Sequence, residues 1–203
     1  MRVRDPADGR RKPMKNLTLR AVVGMIAGLT AVCALAQTTP PSPLDDSYSV
    51  TLDIDHDGKP DRATLLRNPE THALDLRIEL GAANDQPPTS RTQAVSKSSI
   101  ASGLVLDFAA RGKDSLVITT GCGGCSNDVS TTLTIAHRGG TFVVAGYTLA
   151  WDTRSGSGTC DVNFLTGKGT LARDGAKARP LKGRFAPVKL EDWSDEKRPQ
   201  ECE

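Results

Sequence analysis

Residues 74–80, LDLRIEL, alternate apolar side chains at every second position with charged ones. Successive side chains of a strand point to opposite faces of its sheet, so this pattern predicts a strand with one face in a core and the other in water. Residues 48–54 and 104–108 repeat this period, and residues 116–118 form a short apolar run typical of a buried strand. Further strands are predicted at residues 129–137, 141–151, 161–165, 169–173 and 181–188.

Turn chemistry separates these segments. Gly139-Gly140 lies between two predicted strands and suits a tight hairpin, and Asp-Gly pairs stand at 57–58 and 174–175. Residues 86–99 are polar and are predicted to form a loop, and residues 191–203 an irregular tail with one helical turn around 191–194. The expected fold is all-β: an antiparallel sandwich or barrel-like sheet with one calcium-type hairpin loop.

The N-terminal region has the features of an export signal. Basic Lys15 and Arg20 precede an apolar run at residues 21–35, and small side chains favour cleavage after Ala36. We therefore predict a leader and signal peptide at 1–36, in which Met14 is the favoured true start, a Pro-rich linker at 37–46 and one all-β domain at 47–203. The apolar run is short for a membrane span, and Val32 departs from a lipobox, so neither a span nor a lipid anchor is expected.

The charge balance argues against a nucleic-acid partner. Seven of the 26 basic and two of the 24 acidic residues lie in the first 36 positions, which leaves 19 basic and 22 acidic residues after the predicted cleavage. A nucleic-acid binder needs a basic stripe, and base stacking needs aromatic side chains, which make up only 4% of the chain. A periplasmic location is expected from the signal.

Cleavage after Ala36 would leave four cysteines, which are Cys122, Cys125, Cys160 and Cys202. An even number in an exported chain predicts two disulfides, with three pairings open. A bond from Cys202 across the fold would hold the tail in place, and we favour it over a local bond between Cys122 and Cys125. No βαβ pattern surrounds the C-x-x-C at 122–125, which argues against thiol redox catalysis.

Residues 53–61, DIDHDGKPD, place oxygen ligands at the spacing of a calcium loop. The predicted ligands are Asp53, Asp55, Asp57, the carbonyl of Lys59 and Asp61. Thr64 stands where an EF-hand has its bidentate Glu, and the flanks read as strands, so a β-hairpin version of the loop is expected. His56 is expected to point away from the ion. The alternative is a solvated acidic turn without metal.

Catalytic signatures are missing from the sequence. It has three histidines, no H-E-x-x-H motif and no G-x-S-x-G motif. A glycosidase pair of carboxylates has no fixed sequence spacing and stays open as an alternative. The chain is nevertheless predicted not to be an enzyme, and no catalytic residue is assigned.

Three segments carry a resemblance to a known family: VTLDIDHDGKPDRATLL at 50–66, GCGGC at 121–125 and CDVNFLTGKG at 160–169. With the signal, they resemble the periplasmic immunity proteins that accompany peptidoglycan-hydrolase effectors of the xanthomonad antibacterial type IV secretion system. Those proteins are similar in fold to invertebrate-type lysozyme inhibitors. The resemblance implies an all-β calcium-binding protein that inserts a loop into the active site of a lysozyme-like hydrolase.

The inserted loop is not obvious from the sequence. Such inhibitors often use a tyrosine, but both tyrosines here fall in strand patterns. The polar, Gly-rich segments 121–128 and 152–159 are the candidate loops, because a nearby cysteine anchors each of them. The candidate partner-binding residues are Ser126, Asn127, Asp128, Asp152 and Arg154. The alternative function is a calcium-stabilised secreted structural or adhesive β module, which would be expected to repeat the acidic loop.

Overall fold

The computed structural model describes residues 47–81, 91–112, 114–122 and 125–202. Two antiparallel sheets contain its strands, and the first has the order β1-β2-β3-β4, in which each strand lies beside its neighbour in sequence. These strands are β1 (Ser47–Leu52), β2 (Asp61–Arg67), β3 (Leu74–Gly81) and β4 (Arg91–Ala101). The predicted leader and linker lie outside the described residues.

The second sheet has eight strands in the order β11-β10-β9-β8-β7-β6-β5, with β12 paired to β8. Its hairpin between β7 and β8 turns at Gly139 and Gly140, whose φ angles of 57° and 78° favour glycine, as the sequence predicts. The strands are β5 (Leu104–Arg111), β6 (Ser115–Gly121), β7 (Asp128–Arg138), β8 (Thr141–Thr153), β9 (Gly156–Asn163), β10 (Lys168–Arg173), β11 (Arg179–Pro180) and β12 (Val188–Lys189).

The all-β antiparallel prediction is confirmed, and of its two forms the structure has the sandwich, because the sheets do not close into a barrel. Inward-facing side chains of both sheets form one hydrophobic cluster. Fully burying one such side chain contributes about 1.5–3 kcal/mol, so this cluster is the main source of stability. Its most deeply buried members include Leu65, Leu76, Ile78, Ile118, Ile135 and Val144.

The C-terminal tail packs against this core. Its short 3-10 helices at Leu190–Asp192, Asp195–Lys197 and Gln200–Cys202 replace the single helical turn predicted from the sequence. Trp193 is only 1% exposed, and its ring lies 6.3 Å from the rings of both Tyr147 and Phe164. The tail therefore closes one side of the core instead of fraying into solvent.

Both cysteine pairings considered from the sequence occur together. Cys160 and Cys202 form a disulfide that spans 42 residues and lies in the core, so the predicted bond from Cys202 across the fold is present. Cys122 and Cys125 form the second disulfide. The preference against this local bond was wrong, because the two bonds use different cysteines and do not compete.

Several strand predictions were wrong. β4 occupies most of the segment predicted as a polar loop. Among residues 92–101 of this edge strand only Val95 and Ile100 are buried, so its sequence has the polar composition of a loop. β2 is the strand expected on the second flank of the acidic loop, but β9 begins at Gly156, inside the segment 152–159 that was predicted as a candidate loop. The strand predicted at 181–188 is absent, and only the two-residue strands β11 and β12 form in that region.

Candidate metal centre and partner-binding edge

The acidic loop is the turn between β1 and β2. Leu52 lies opposite Asp61 in the ladder, so residues 53–60 form the loop and Asp61 begins the second strand. His56 and Gly58 have φ angles of 66° and 82°. Two residues in the left-handed region bend the chain sharply enough to fold the acidic side chains back toward one another.

Hydrogen bonds inside the loop fix this bend. The Asp53 carboxylate accepts from the Gly58 amide at 3.1 Å, and the Asp55 carboxylate accepts from the Asp57 amide at 3.1 Å. The Asp57 carboxylate accepts from the Lys59 amide at 2.8 Å. Short acidic side chains that bond to an amide two residues ahead are typical of tight turns, which is why this spacing folds into a loop.

Three of the predicted ligands come together. One carboxylate oxygen each from Asp53, Asp55 and Asp61 lies within 4.8 Å of the others. Asp57 is outside this group, and its carboxylate lies 3.5 Å from the ammonium of Lys59. The carbonyl of Lys59 stays a prediction. A group of three carboxylates at this separation could hold a metal ion.

Asp61 is fully buried, and both of its carboxylate oxygens accept backbone hydrogen bonds. The Ile54 amide donates to one oxygen and the Gly81 amide to the other, each at 2.8 Å. Burial raises the pKa of Asp61, although these two hydrogen bonds act in the opposite direction and nearby Asp55 and Asp57 add to the rise. A cation beside this carboxylate would offset the cost of keeping its charge away from water.

One carboxylate oxygen of the loop is placed to bind a metal ion. The Oδ1 atom of Asp53 is buried and has no hydrogen-bond partner among the described residues. A buried carboxylate oxygen without a partner is costly, and a metal ion would satisfy it. The donor set of carboxylate oxygens suits a hard cation such as Ca²⁺ or Mg²⁺.

Comparison with family models, with curated proteins and with solved structures found no match for this chain. Among the described residues, no helix is long and apolar enough to cross a membrane. The assignment of function therefore depends on the geometry of the acidic loop and of the candidate partner-binding edge.

Two residues that support the loop were missed by sequence reasoning. Gly81, at the end of β3, donates to Asp61, and a Cβ there would lie 2.8 Å from the Cβ of Lys59, so the loop packs on bare backbone. Asp114 lies 3.3 Å from the Nε2 atom of His56, which turns that side chain toward a neighbouring turn. The only sequence feature that could have indicated the role of Gly81 is its position at the end of a strand pattern. No sequence feature indicated the role of Asp114.

The Asp114 carboxylate also accepts from the Arg138 guanidinium at 2.6 Å. This hydrogen bond, more than the one from His56, holds the pKa of Asp114 below its usual range. His56 belongs to the acidic loop, Asp114 to the β5–β6 turn and Arg138 to the β7–β8 hairpin. The acidic loop is therefore joined by side chains to two turns of the other sheet.

The candidate partner-binding residues lie at one end of the second sheet. Ser126 and Asn127 are exposed just before β7, and Arg154 is exposed in the turn between β8 and β9. Asp128 and Asp152 lie directly opposite each other in the β7–β8 ladder. The two candidate loops are therefore neighbours, although β9 shortens the second to a tight turn.

Proposed function

We propose that this protein is an exported, calcium-binding inhibitor that blocks a peptidoglycan hydrolase in the periplasm and so acts as an immunity protein. The observation that carries the proposal is the meeting of the two candidate loops at one end of the second sheet, where Asp128 lies opposite Asp152. Loops held by neighbouring strands lose little conformational entropy on binding, so a preorganised edge of this kind favours tight inhibition.

The disulfide between Cys122 and Cys125 supports this assignment. It constrains the segment before β7, and the Cys122 amide donates to the Val129 carbonyl at 3.3 Å. The exposed side chains of Ser126 and Asn127 follow directly. Their hydroxyl and amide groups, and the guanidinium of Arg154, suit the carboxylates that hydrolyse glycosidic bonds, because they can donate hydrogen bonds to them.

Calcium is the proposed ion of the acidic loop. Asp53, Asp55 and Asp61 supply the carboxylate oxygens, and the exported location we propose would provide calcium. An ion that binds the folded loop stabilises the folded state by mass action. Its role is structural, because the loop lies in the first sheet and the proposed inhibitory edge in the second.

The test is capture of periplasmic proteins on the immobilised protein, followed by a lysis assay with the captured fraction on purified peptidoglycan. We expect a hydrolase in the captured fraction and slower wall lysis when free protein is added. The variant Asn127→Ala/Arg154→Ala should inhibit at least tenfold less well, whereas Arg184→Ala, an exposed arginine elsewhere, should inhibit as wild type does. If no hydrolase is captured and lysis is not slowed, the protein is not an inhibitor, and the structural-module alternative gains support.

A further inference from the structure

The outer face of the second sheet has an open trough of about 400 Å³ at the end that carries the candidate loops. Its floor crosses four strands in register: Ser130 lies opposite Ala150, Ala150 opposite Thr159, and Thr159 opposite Ala172. Small side chains in this row let another chain approach the sheet backbone closely. We call this surface the outer trough; Asp128 and Asp152 stand on its rim.

The two rim carboxylates are an unfavourable pair. Asp128 and Asp152 are exposed and directly opposite each other, and like charges in this position destabilise a ladder. The trough is lined by three carboxylates, those of Asp128, Asp152 and Asp174, and by one cationic residue, Arg173, so its lining has a net negative charge. A positive group placed over the pair from outside would turn this repulsion into attraction.

An apolar shoulder adjoins the outer trough on its β5 side. Leu104 and Leu106 are 52% and 43% exposed, so together they form an apolar patch at the surface of the sheet. The Cδ1 atom of Leu106 lies 3.0 Å from where a Cβ of Gly121 would stand, and Gly121 is opposite Ser130 of the trough floor. The apolar shoulder and the outer trough therefore form one continuous surface, because Gly121 between them has no side chain.

We infer that the outer trough is a docking surface for a cationic segment of a protein partner, whose lysine or arginine lies over Asp128 and Asp152 and whose apolar side chain covers Leu104 and Leu106. This inference rests on the proposed function, since it assigns the segment to the blocked hydrolase. Charge complementarity with an apolar neighbour gives specificity as well as affinity, because a partner that lacks the cation leaves the carboxylate pair in repulsion.

The test compares Asp128→Asn/Asp152→Asn with a control of equal charge, Glu191→Gln/Asp192→Asn, whose exposed side chains lie in the tail. The first variant should melt at a higher temperature than wild type, because the repulsion is gone, and should capture at least tenfold less hydrolase. The control should capture as much hydrolase as wild type. If the first variant captures as much hydrolase as the control, the docking surface is wrong while the inhibitor proposal stands.

A second probe separates the docking surface from the identity of the partner. In an NMR titration with a lysine decapeptide at low salt, we expect amide shifts at Ser130, Ala150 and Thr159 that vanish in Asp128→Asn/Asp152→Asn and persist in the control. Amide shifts that spread evenly over the exposed acidic residues of the protein, or that are unchanged in the variant, would overturn the proposal of a docking surface. If wild type captures no hydrolase but the decapeptide shifts appear as described, the inhibitor proposal fails and the outer trough remains a docking surface for a cationic segment.

Discussion

Asp61 has a structural role that does not depend on a metal ion, because its two carboxylate oxygens accept the amides of Ile54 and Gly81. In Asp61→Asn, one of these amides would face an NH₂ group instead of an acceptor. We expect the metal-free variant to lose about 1–3 kcal/mol of unfolding free energy, measured by urea denaturation. Asp57→Asn, exposed in the same loop, should change it by less than about 0.5 kcal/mol. Equal effects of the two substitutions would contradict this role.

At the level of single residues, the sequence predicted the carboxylates of the acidic loop better than the residues that hold the loop in place. The D-x-D-x-D-G-x-x-D spacing predicted that Asp53, Asp55 and Asp61 come together, as they do, because short acidic side chains and a glycine determine a local turn. It also named Asp57 as a ligand, and Asp57 lies outside the group. It could not identify Gly81 or Asp114, which reach the loop from other strands and turns. Contacts between residues distant in sequence follow from sheet pairing, which no local pattern specifies.

Among the elements, β8, β9 and β10 meet where Trp151, Gly158 and Arg173 lie in one row. The Trp151 ring occupies the space that a Gly158 side chain would fill, and a Cβ there would also lie 2.6 Å from the Ala172 carbonyl oxygen. Gly158→Ala should therefore cost about 1–3 kcal/mol of unfolding free energy through overpacking. Thr159→Ala, exposed on the same strand, is the control and should stay within about 0.5 kcal/mol. A neutral Gly158→Ala would mean that the ring moves aside freely.

The contact between the β5–β6 turn and the β7–β8 hairpin should depend on pH. The Arg138 hydrogen bond lowers the pKa of Asp114 from its ordinary value of 3.8, so the folded state favours the charged carboxylate. Its stabilisation is therefore present above 3.8 and is lost as pH falls through the lowered pKa. Wild type and Arg138→Met should differ in unfolding free energy by at most about 1 kcal/mol at neutral pH, and this difference should fall toward zero in acid. Urea midpoints over a pH series measure it, and a constant difference would refute the coupling.

Strand prediction succeeded where one face is buried and failed where burial is partial. β3 has alternating buried positions that match the sequence pattern. β4 is an edge strand that pairs with β3 and has polar residues at most positions. Its sequence therefore lacks the alternating apolar pattern from which a strand is predicted. β9 begins at Gly156, which has a φ of 137°, and Trp151 fills the space that a side chain of Gly158 would need. A strand that begins with glycines resembles a turn in sequence. Tertiary packing, not local preference, determined these two strands.

For the whole molecule, the bond between Cys160 and Cys202 links the core to the tail that carries Trp193. Closing a segment of 42 residues restricts the unfolded chain and contributes about 4 kcal/mol in a chain-entropy estimate. Cys160→Ala/Cys202→Ala should therefore lower the melting temperature strongly, as calorimetry would show. Cys122→Ser/Cys125→Ser, which opens a separation of three residues, should lower it much less. The reverse order would mean that the tail adds little to the fold.

The most direct test of the account is a calorimetric titration of the metal-free protein with calcium, because the proposed stabilisation of the folded state depends on an ion at Asp53, Asp55 and Asp61. We predict saturable heat with one ion bound per chain and a higher melting temperature in calcium than in chelator. Asp55→Ala should abolish both effects while leaving the fold of the metal-free protein intact. No heat and no change in melting temperature for the wild-type protein would contradict the account.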